Sequence, residues 1–211
     1  MKNHYQILLT SADISNLYDA KLLDNTDFER LQRHPQLAQR SDWISSRFLK
    51  QQLAQDYTHL SLTHKKGYAA LIACTKLCPI GIDMEYAQQR DFLALAKLCY
   101  TEVEQQWLSE QHNIATSFYQ LWTLKEALIK ADHGQLTDMR HWSLIPAAHQ
   151  EILIPVLPIS IQAYTAIIDK NWYISVIFPE YFPPPQQCTH IFGHWSQHDI
   201  IWQHWPNQQY V

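Results

Sequence analysis

Only four glycines, Gly67, Gly81, Gly134 and Gly193, punctuate the 211 residues, whereas an average chain carries roughly 7%. No two of them lie closer than fourteen positions. A dinucleotide fingerprint (G-x-G-x-x-G) and a Walker loop (G-x-x-x-x-G-K-[ST]) both need closely spaced glycines, so neither is present. Any phosphate chemistry of this chain must therefore rest on side chains rather than on a glycine-rich backbone cradle.

The length fits one large domain or two small ones. With 46% hydrophobic and 17% charged residues, the chain can bury a sizeable core. A net charge of −4 argues against a nucleic-acid partner. The cysteines Cys74, Cys78, Cys99 and Cys188 form no C-x-x-C pair, and the first apolar run, Ile7 to Leu9, is too short for a signal peptide. A reduced, cytoplasmic protein is expected. The apolar, uncharged stretch Ile152 to Ile168 contains Pro155 and Pro158 and falls short of the ~20 residues of a membrane span.

Residues 4–10 read as a strand, and Asp13 to about Gln55 as polar helix interrupted at His34-Pro35. The spacing of Trp43, Ile44, Phe48, Leu49 and Leu53 is helical. Leu60–Thr63 and Tyr68–Thr75 read as strands joined by a turn ending at Gly67, and Ile80–Glu85 as another. Helices are predicted over Gln88–Leu98, from Thr101, where Thr101 and Glu104 form a capping box, and over Ala115–Asp132, stopped near His133-Gly134. Ile152–Leu157, Ser160–Ile168 and Trp172–Phe178 read as strands. The expected fold class is α+β, in two similar halves. The predicted boundaries are 1–78, 79–182 and a loosely packed tail, 183–211, that begins at Pro183-Pro184-Pro185 and carries Trp195, Trp202 and Trp205. His190, His194 and His198 recur every four residues, a spacing that would line one face of a helix, although Gly193 weakens that reading.

Two segments carry chemistry. In Gly81-Ile82-Asp83-Met84-Glu85, side chains two apart on a strand share a face. Asp83 and Glu85 then stand side by side, with Ile82 and Met84 toward a core. Adjacent carboxylates repel unless a cation lies between them, and a hard ion such as Mg²⁺ takes these oxygens together with water and phosphate. Taken alone, a solvated strand edge is the simpler account. In Trp122-Thr123-Leu124-Lys125-Glu126-Ala127-Leu128-Ile129-Lys130, a stripe of Leu121, Leu124, Leu128 and Ile129 can be buried. Glu126 and Lys130 share a face at i, i+4. They form either a surface salt bridge worth a few tenths of a kcal/mol, or a third metal ligand beside a phosphate ligand.

Taken together, the two segments resemble the 4′-phosphopantetheinyl transferases, and more closely their larger, surfactin-synthetase-activating type. That family's pattern reads G-[IV]-D, a gap, then [FW]-[SCT]-x-K-E-[AS]-x-x-K. Its fixed positions are met by Gly81, Ile82, Asp83, Trp122, Thr123, Lys125, Glu126, Ala127 and Lys130. The resemblance runs from about residue 27 to 178. It includes Arg40 and the Arg47-Phe48-Leu49-Lys50 run as a basic helix, Thr63-His64 at a strand end, and Gly134-Gln135-Leu136 after the second motif.

The resemblance implies transfer of 4′-phosphopantetheine from coenzyme A to a serine of an apo acyl or peptidyl carrier protein, with release of 3′,5′-ADP. It implies Mg²⁺, with Mn²⁺ as the alternative ion. It also implies a monomer of two pseudo-symmetric α+β halves with the active site in the cleft between them. By the same resemblance, Asp83, Glu85 and Glu126 match metal ligands, Lys125 and Lys130 serve the reacting phosphates, and Glu102 matches the base that activates the serine. His64 and Arg40 match contacts to the 3′-phosphate of coenzyme A, with Arg47 and Thr63 beside them and Arg33 a weaker candidate. Two departures stand out: Thr63-His64-Lys65 replaces Ser-His-Ser, and no glycine-lysine-proline segment precedes that strand. Pyrophosphate hydrolysis without carrier transfer, and a catalytically degenerate carrier-binding paralogue, are the competing readings.

Overall fold

The computed structural model of the chain describes residues 4–14, 16–145, 157 and 159–205. The fold divides into two compact units. One is Met1–Leu77 with Pro183–Ile200, and the other is Cys78–Phe182 with Ile201–Val211. Of the predicted strand Ile152–Leu157, residues 152–156 lie outside the described residues.

The first unit opens with β1 (Tyr5–Thr10). Helix α1 (Asn25–Arg33) starts where the Asp24 carboxylate accepts from Asp27 N at 2.8 Å, satisfying one of the free amides of the first turn. A Pro35-led 3₁₀ turn separates it from α2 (Ser41–Gln51). The hairpin of β2 (His59–Lys65) and β3 (Tyr68–Cys74) follows. Helix α2 lays Phe48 and Leu49 on Ala69, Leu71 and Ala73 of β3, and the alanines leave room for the helix. The hairpin turns at Lys66-Gly67, both with positive φ. Gly67 N donates to Asp42 Oδ1 at 2.5 Å and its carbonyl accepts from Ser45 Oγ. The hairpin tip is thereby bolted to α2.

The second unit contains β4 (Gly81–Tyr86), α3 (Phe92–Cys99), α4 (Glu102–Ser109), α5 (Ile114–Asp132), β5 (Ile161–Ile168) and β6 (Trp172–Pro179). Asp91, Thr101 and Asn113 cap the three helices, and the Thr101–Glu104 capping box forms as expected. Helix α5 ends at His133, which adopts a left-handed conformation with φ 57°. Leu121, Leu124 and Leu128 of α5 pack in one core with Tyr173 and Ile177 of β6.

The two units repeat one topology. β3 lies between β2 and β1, and β6 lies between β5 and β4, with every one of these pairings antiparallel. The last strand of each strand–helix–hairpin thus becomes the buried centre of its sheet, which bears out two similar α+β halves. The C-terminal segment adds one strand to each unit. β7 (Thr189–Phe192) runs parallel to β1, and β8 (Gln203–Trp205) pairs with β5. The loose packing expected of this segment does not occur over its described residues. Trp195 is fully buried against Tyr68, and Trp205 Nε1 donates to the Leu144 carbonyl at 3.2 Å. His190 lies on β7, while His194 sits in a 3₁₀ turn beside Asp13 at 3.2 Å, so no helix aligns the histidines. Among the described residues, no helix is long and apolar enough to cross a membrane.

Candidate active site

Gly81 opens β4 where it touches α5. A Cβ at this position would lie 1.8 Å from the Ala127 carbonyl oxygen and 3.1 Å from Ala131 N. Only a residue without a side chain lets the strand come this close. The approach puts the last turns of α5 over the start of β4. Thr123 Oγ1 and Ser175 Oγ, 2.6 Å apart and buried, tie the same helix to β6.

Over that contact, Lys130 Nζ donates to Asp83 Oδ1 at 2.8 Å and to the Ile82 carbonyl at 3.0 Å. Asp83 is 5% exposed, so its partner is a charge in a largely desolvated setting. The two sequence motifs therefore meet through Asp83 and Lys130. Glu85 lies two residues further along β4 and Glu126 one turn before Lys130 on α5, both half-buried. Among the described residues, no group of three or more His, Cys, Asp or Glu side chains converges on one point. Carboxylates repel one another, and Lys130 brings a cation of the chain itself to Asp83. The side chains expected to hold an ion, those of Asp83, Glu85 and Glu126, offer carboxylate oxygens and neither thiolate nor imidazole, the ligand type that a hard divalent ion takes.

Lys125 is put to a different use from that expected. It is 0% exposed, as is Glu104. Its ammonium donates to Glu104 Oε2 and to the Trp142 carbonyl, each at 2.5 Å, and lies 5.4 Å from the Tyr100 ring centroid. A lysine enclosed in this way does not meet substrate. Burial pushes its ammonium below the usual lysine range, and the Glu104 carboxylate pulls the other way. Glu102 stands on the first turn of α4 with its side chain exposed.

Cys99 flanks this pair. Burial raises its thiol from the ordinary 9.0 to about 11. At pH 8 that leaves about a hundredfold less thiolate than an ordinary thiol. Iodoacetamide labelling read by peptide mass spectrometry should find Cys99 about a hundredfold slower than a free peptide thiol, and equal rates would refute the shift. The folded state holds this proton more tightly than the unfolded chain. Its contribution to stability is therefore complete below about pH 9 and lost as the pH rises through about 11.

The first unit gathers its basic residues around a second feature. A pocket of about 240 Å³ is lined by Arg30, Leu37, Arg40, Trp43, Arg47, Leu62 and His64. His64 lies within β2 rather than in a turn, and with Leu62 it faces the pocket. Thr63 points to the opposite face by strand alternation and is buried. Arg47 stacks 4.0 Å from the Trp43 ring centroid and pairs with the buried Asp27 at 2.8 Å, while Lys50 bridges Asp27 and Asp24. Arg40 is the open member, with a side chain 59% exposed and 4.0 Å from Asp42. His64 Nδ1 lies at the same distance from Asp42.

Trp43 Nε1 and Arg47 Nε are buried donors without an acceptor among the described residues. Buried donors ordinarily find one, so the lining suits a ligand rich in acceptor oxygens. Arg33 lies outside the pocket and pairs with Glu29 at 3.8 Å. Arg30, one turn earlier, is the residue missed from sequence, and the register that Asp24 sets by capping α1 was its signal.

A family model described as the 4′-phosphopantetheinyl transferase superfamily matches residues 79–177. A putative 4′-phosphopantetheinyl transferase of Haemophilus influenzae is 32% identical over 66 residues, which is 30% of this chain and 28% of that protein. The 4′-phosphopantetheinyl transferase gsp of Aneurinibacillus migulanus is 32% identical over 75 residues, 35% of this chain and 30% of that one. The matched stretch thus spans less than a third of each relative.

Proposed function

We propose, from the match of residues 79–177 to the 4′-phosphopantetheinyl transferase superfamily, that the chain transfers 4′-phosphopantetheine from coenzyme A to a serine of an apo acyl or peptidyl carrier protein. The observation that carries this reading is the Lys130–Asp83 ion pair, which joins the two halves of the motif over a strand–helix contact that only Gly81 permits. In this reading the serine oxygen forms a bond to the phosphorus that bears pantetheine. The bond from that phosphorus to the bridging oxygen breaks, 3′,5′-ADP leaves, and the serine proton passes to Glu102 directly or through water.

Asp83, Glu85 and Glu126 would hold a divalent ion, Mg²⁺ in the first instance, which supplies charge neutralisation at the pyrophosphate. Lys130 orients Asp83 and places its ammonium beside the phosphates. In the first unit, Arg40 and Arg30 would present positive charge to the 3′-phosphate, and His64 a ring nitrogen. Arg47 is held by Asp27 and stacks on the Trp43 ring.

Arg40→Ala is expected to weaken coenzyme A binding about tenfold, an effect reduced at high salt. The melting temperature should stay nearly constant, because the exposed Arg40–Asp42 pair contributes little. Titration calorimetry decides, and unchanged affinity would remove Arg40 from the site.

The test of function is direct. The protein is mixed with coenzyme A, Mg²⁺ and a panel of apo carrier proteins, and the carriers are weighed. A gain of one phosphopantetheine arm is expected. Cleaved coenzyme A with unmodified carriers would indicate hydrolysis instead, and bound but intact coenzyme A would indicate a non-catalytic paralogue.

A further inference from the structure

One lysine of the second motif takes no part in this chemistry, and its surroundings suggest why it is there. Both oxygens of the buried Glu104 carboxylate are occupied. Oε2 accepts from Thr101 N at 3.0 Å and from Lys125 Nζ at 2.5 Å, and Oε1 accepts from Leu144 N at 2.9 Å. Thr101 Oγ1 in turn accepts from Glu104 N at 3.3 Å. One carboxylate thus joins the first turn of α4, the middle of α5 and the backbone of the 142–144 segment. Glu102 stands on that first turn between Thr101 and Glu104. Glu126 directly follows Lys125 on α5, and Lys130 lies a turn further on.

We propose that Lys125 and Glu104 are positioning residues: their buried ion pair fixes the start of α4 against α5, and so sets Glu102 in the frame of Glu126, Lys130 and Asp83. Stability alone does not call for a lysine here. A buried ion pair can often be replaced by apolar residues of similar volume at no cost to stability. What the pair supplies is a single register of α4 on α5, and a displacement of about 1 Å at a reacting group can cost about a hundredfold in rate. Direct contact with phosphate is excluded by enclosure, since Lys125 is 0% exposed and its ammonium is turned to Glu104 and Trp142.

The inference rests on Glu102 acting as the base. The experiment compares wild type, Glu104→Gln/Lys125→Met, Glu102→Gln and the combined triple variant, each as the full chain. The neutral double variant keeps the shape of the pair without stranding a buried charge. Coenzyme A binding is measured by calorimetry, and turnover by mass spectrometry of a modified carrier. The expected result is a dissociation constant within twofold of wild type and a kcat at least tenfold lower. On the Glu102→Gln background, the same pair of changes should lower kcat by less than twofold, because the residue it acts through is already gone.

A tenfold loss of coenzyme A affinity would overturn the proposal by showing a direct phosphate contact. Unchanged kcat, or losses that multiply on the Glu102→Gln background, would overturn it as well. Wild-type turnover in Glu102→Gln alone would instead fell the base reading on which the proposal stands. Should the double variant fail to fold, Thr101→Ala leaves the buried pair intact while loosening the same turn. It should lower kcat without altering coenzyme A affinity, again with little further effect beside Glu102→Gln, and a normal kcat would overturn the proposal.

Discussion

Asp83→Asn is expected to lower carrier modification about a thousandfold. The substitution keeps the size and shape of the side chain and removes its charge. The carboxylate that Lys130 orients at 2.8 Å would then no longer balance a divalent ion. The fold should persist. Lys130 keeps its bond to the Ile82 carbonyl and its side chain is 28% exposed, so the ammonium left behind is not stranded without a partner or water. If the arginine-lined pocket of the first unit holds the 3′-phosphate as proposed, coenzyme A binding should persist. Manganese binding followed by electron paramagnetic resonance provides a readout independent of turnover and should weaken in parallel. Near-normal turnover at limiting Mg²⁺ would overturn the assignment of Asp83 as a metal ligand.

Gly81→Ala should produce the largest structural effect. The new methyl group meets a backbone carbonyl at 1.8 Å, and a carbonyl inside a helix cannot rotate aside as a side chain can. Strand and helix must separate, at a cost on the order of 3 kcal/mol, which lowers the melting temperature by roughly 10 °C in a chain of this length. Turnover should fall with it, since Asp83 and Lys130 lie on the two elements that part. Gly134→Ala is the control. Its new Cβ meets the side-chain ends of Asp138 and Trp142 at 3.0 Å, and these can move, so its melting temperature should change by only a few degrees. Equal behaviour of the two variants would contradict the close approach at Gly81.

Local features were legible from the chain. The capping box at Thr101 and Glu104, the α5 stripe and the Lys66-Gly67 turn depend on neighbours in sequence, and each appears where it was expected. Features that depend on helix register were less so. Arg33 and Arg30 differ by one turn, and only the position of α1 against Trp43 decides which of them reaches the pocket. Lys125 and Lys130 also look alike in sequence. Burial separates them: one is enclosed with Glu104 and the other reaches Asp83. Thr63 and His64 are adjacent, yet strand alternation sends them to opposite faces.

By itself, the sequence determined the kind of chemistry open to this protein. Widely spaced glycines exclude a backbone cradle, and two spaced motifs supply carboxylates and lysines in its place. It also carried the resemblance to the 4′-phosphopantetheinyl transferases, because those motifs are short, local and specific. The tertiary structure decided which charged groups face one another and which are sealed away. No internal repeat is visible in the sequence, yet both units build the same three-stranded arrangement around a buried last strand. Many apolar side chains satisfy the same buried positions, so topology is retained where residue identity is not. Gly81 joins the two levels. In the sequence it is one residue of a motif, and in the fold it is the space that lets α5 carry Lys130 to Asp83.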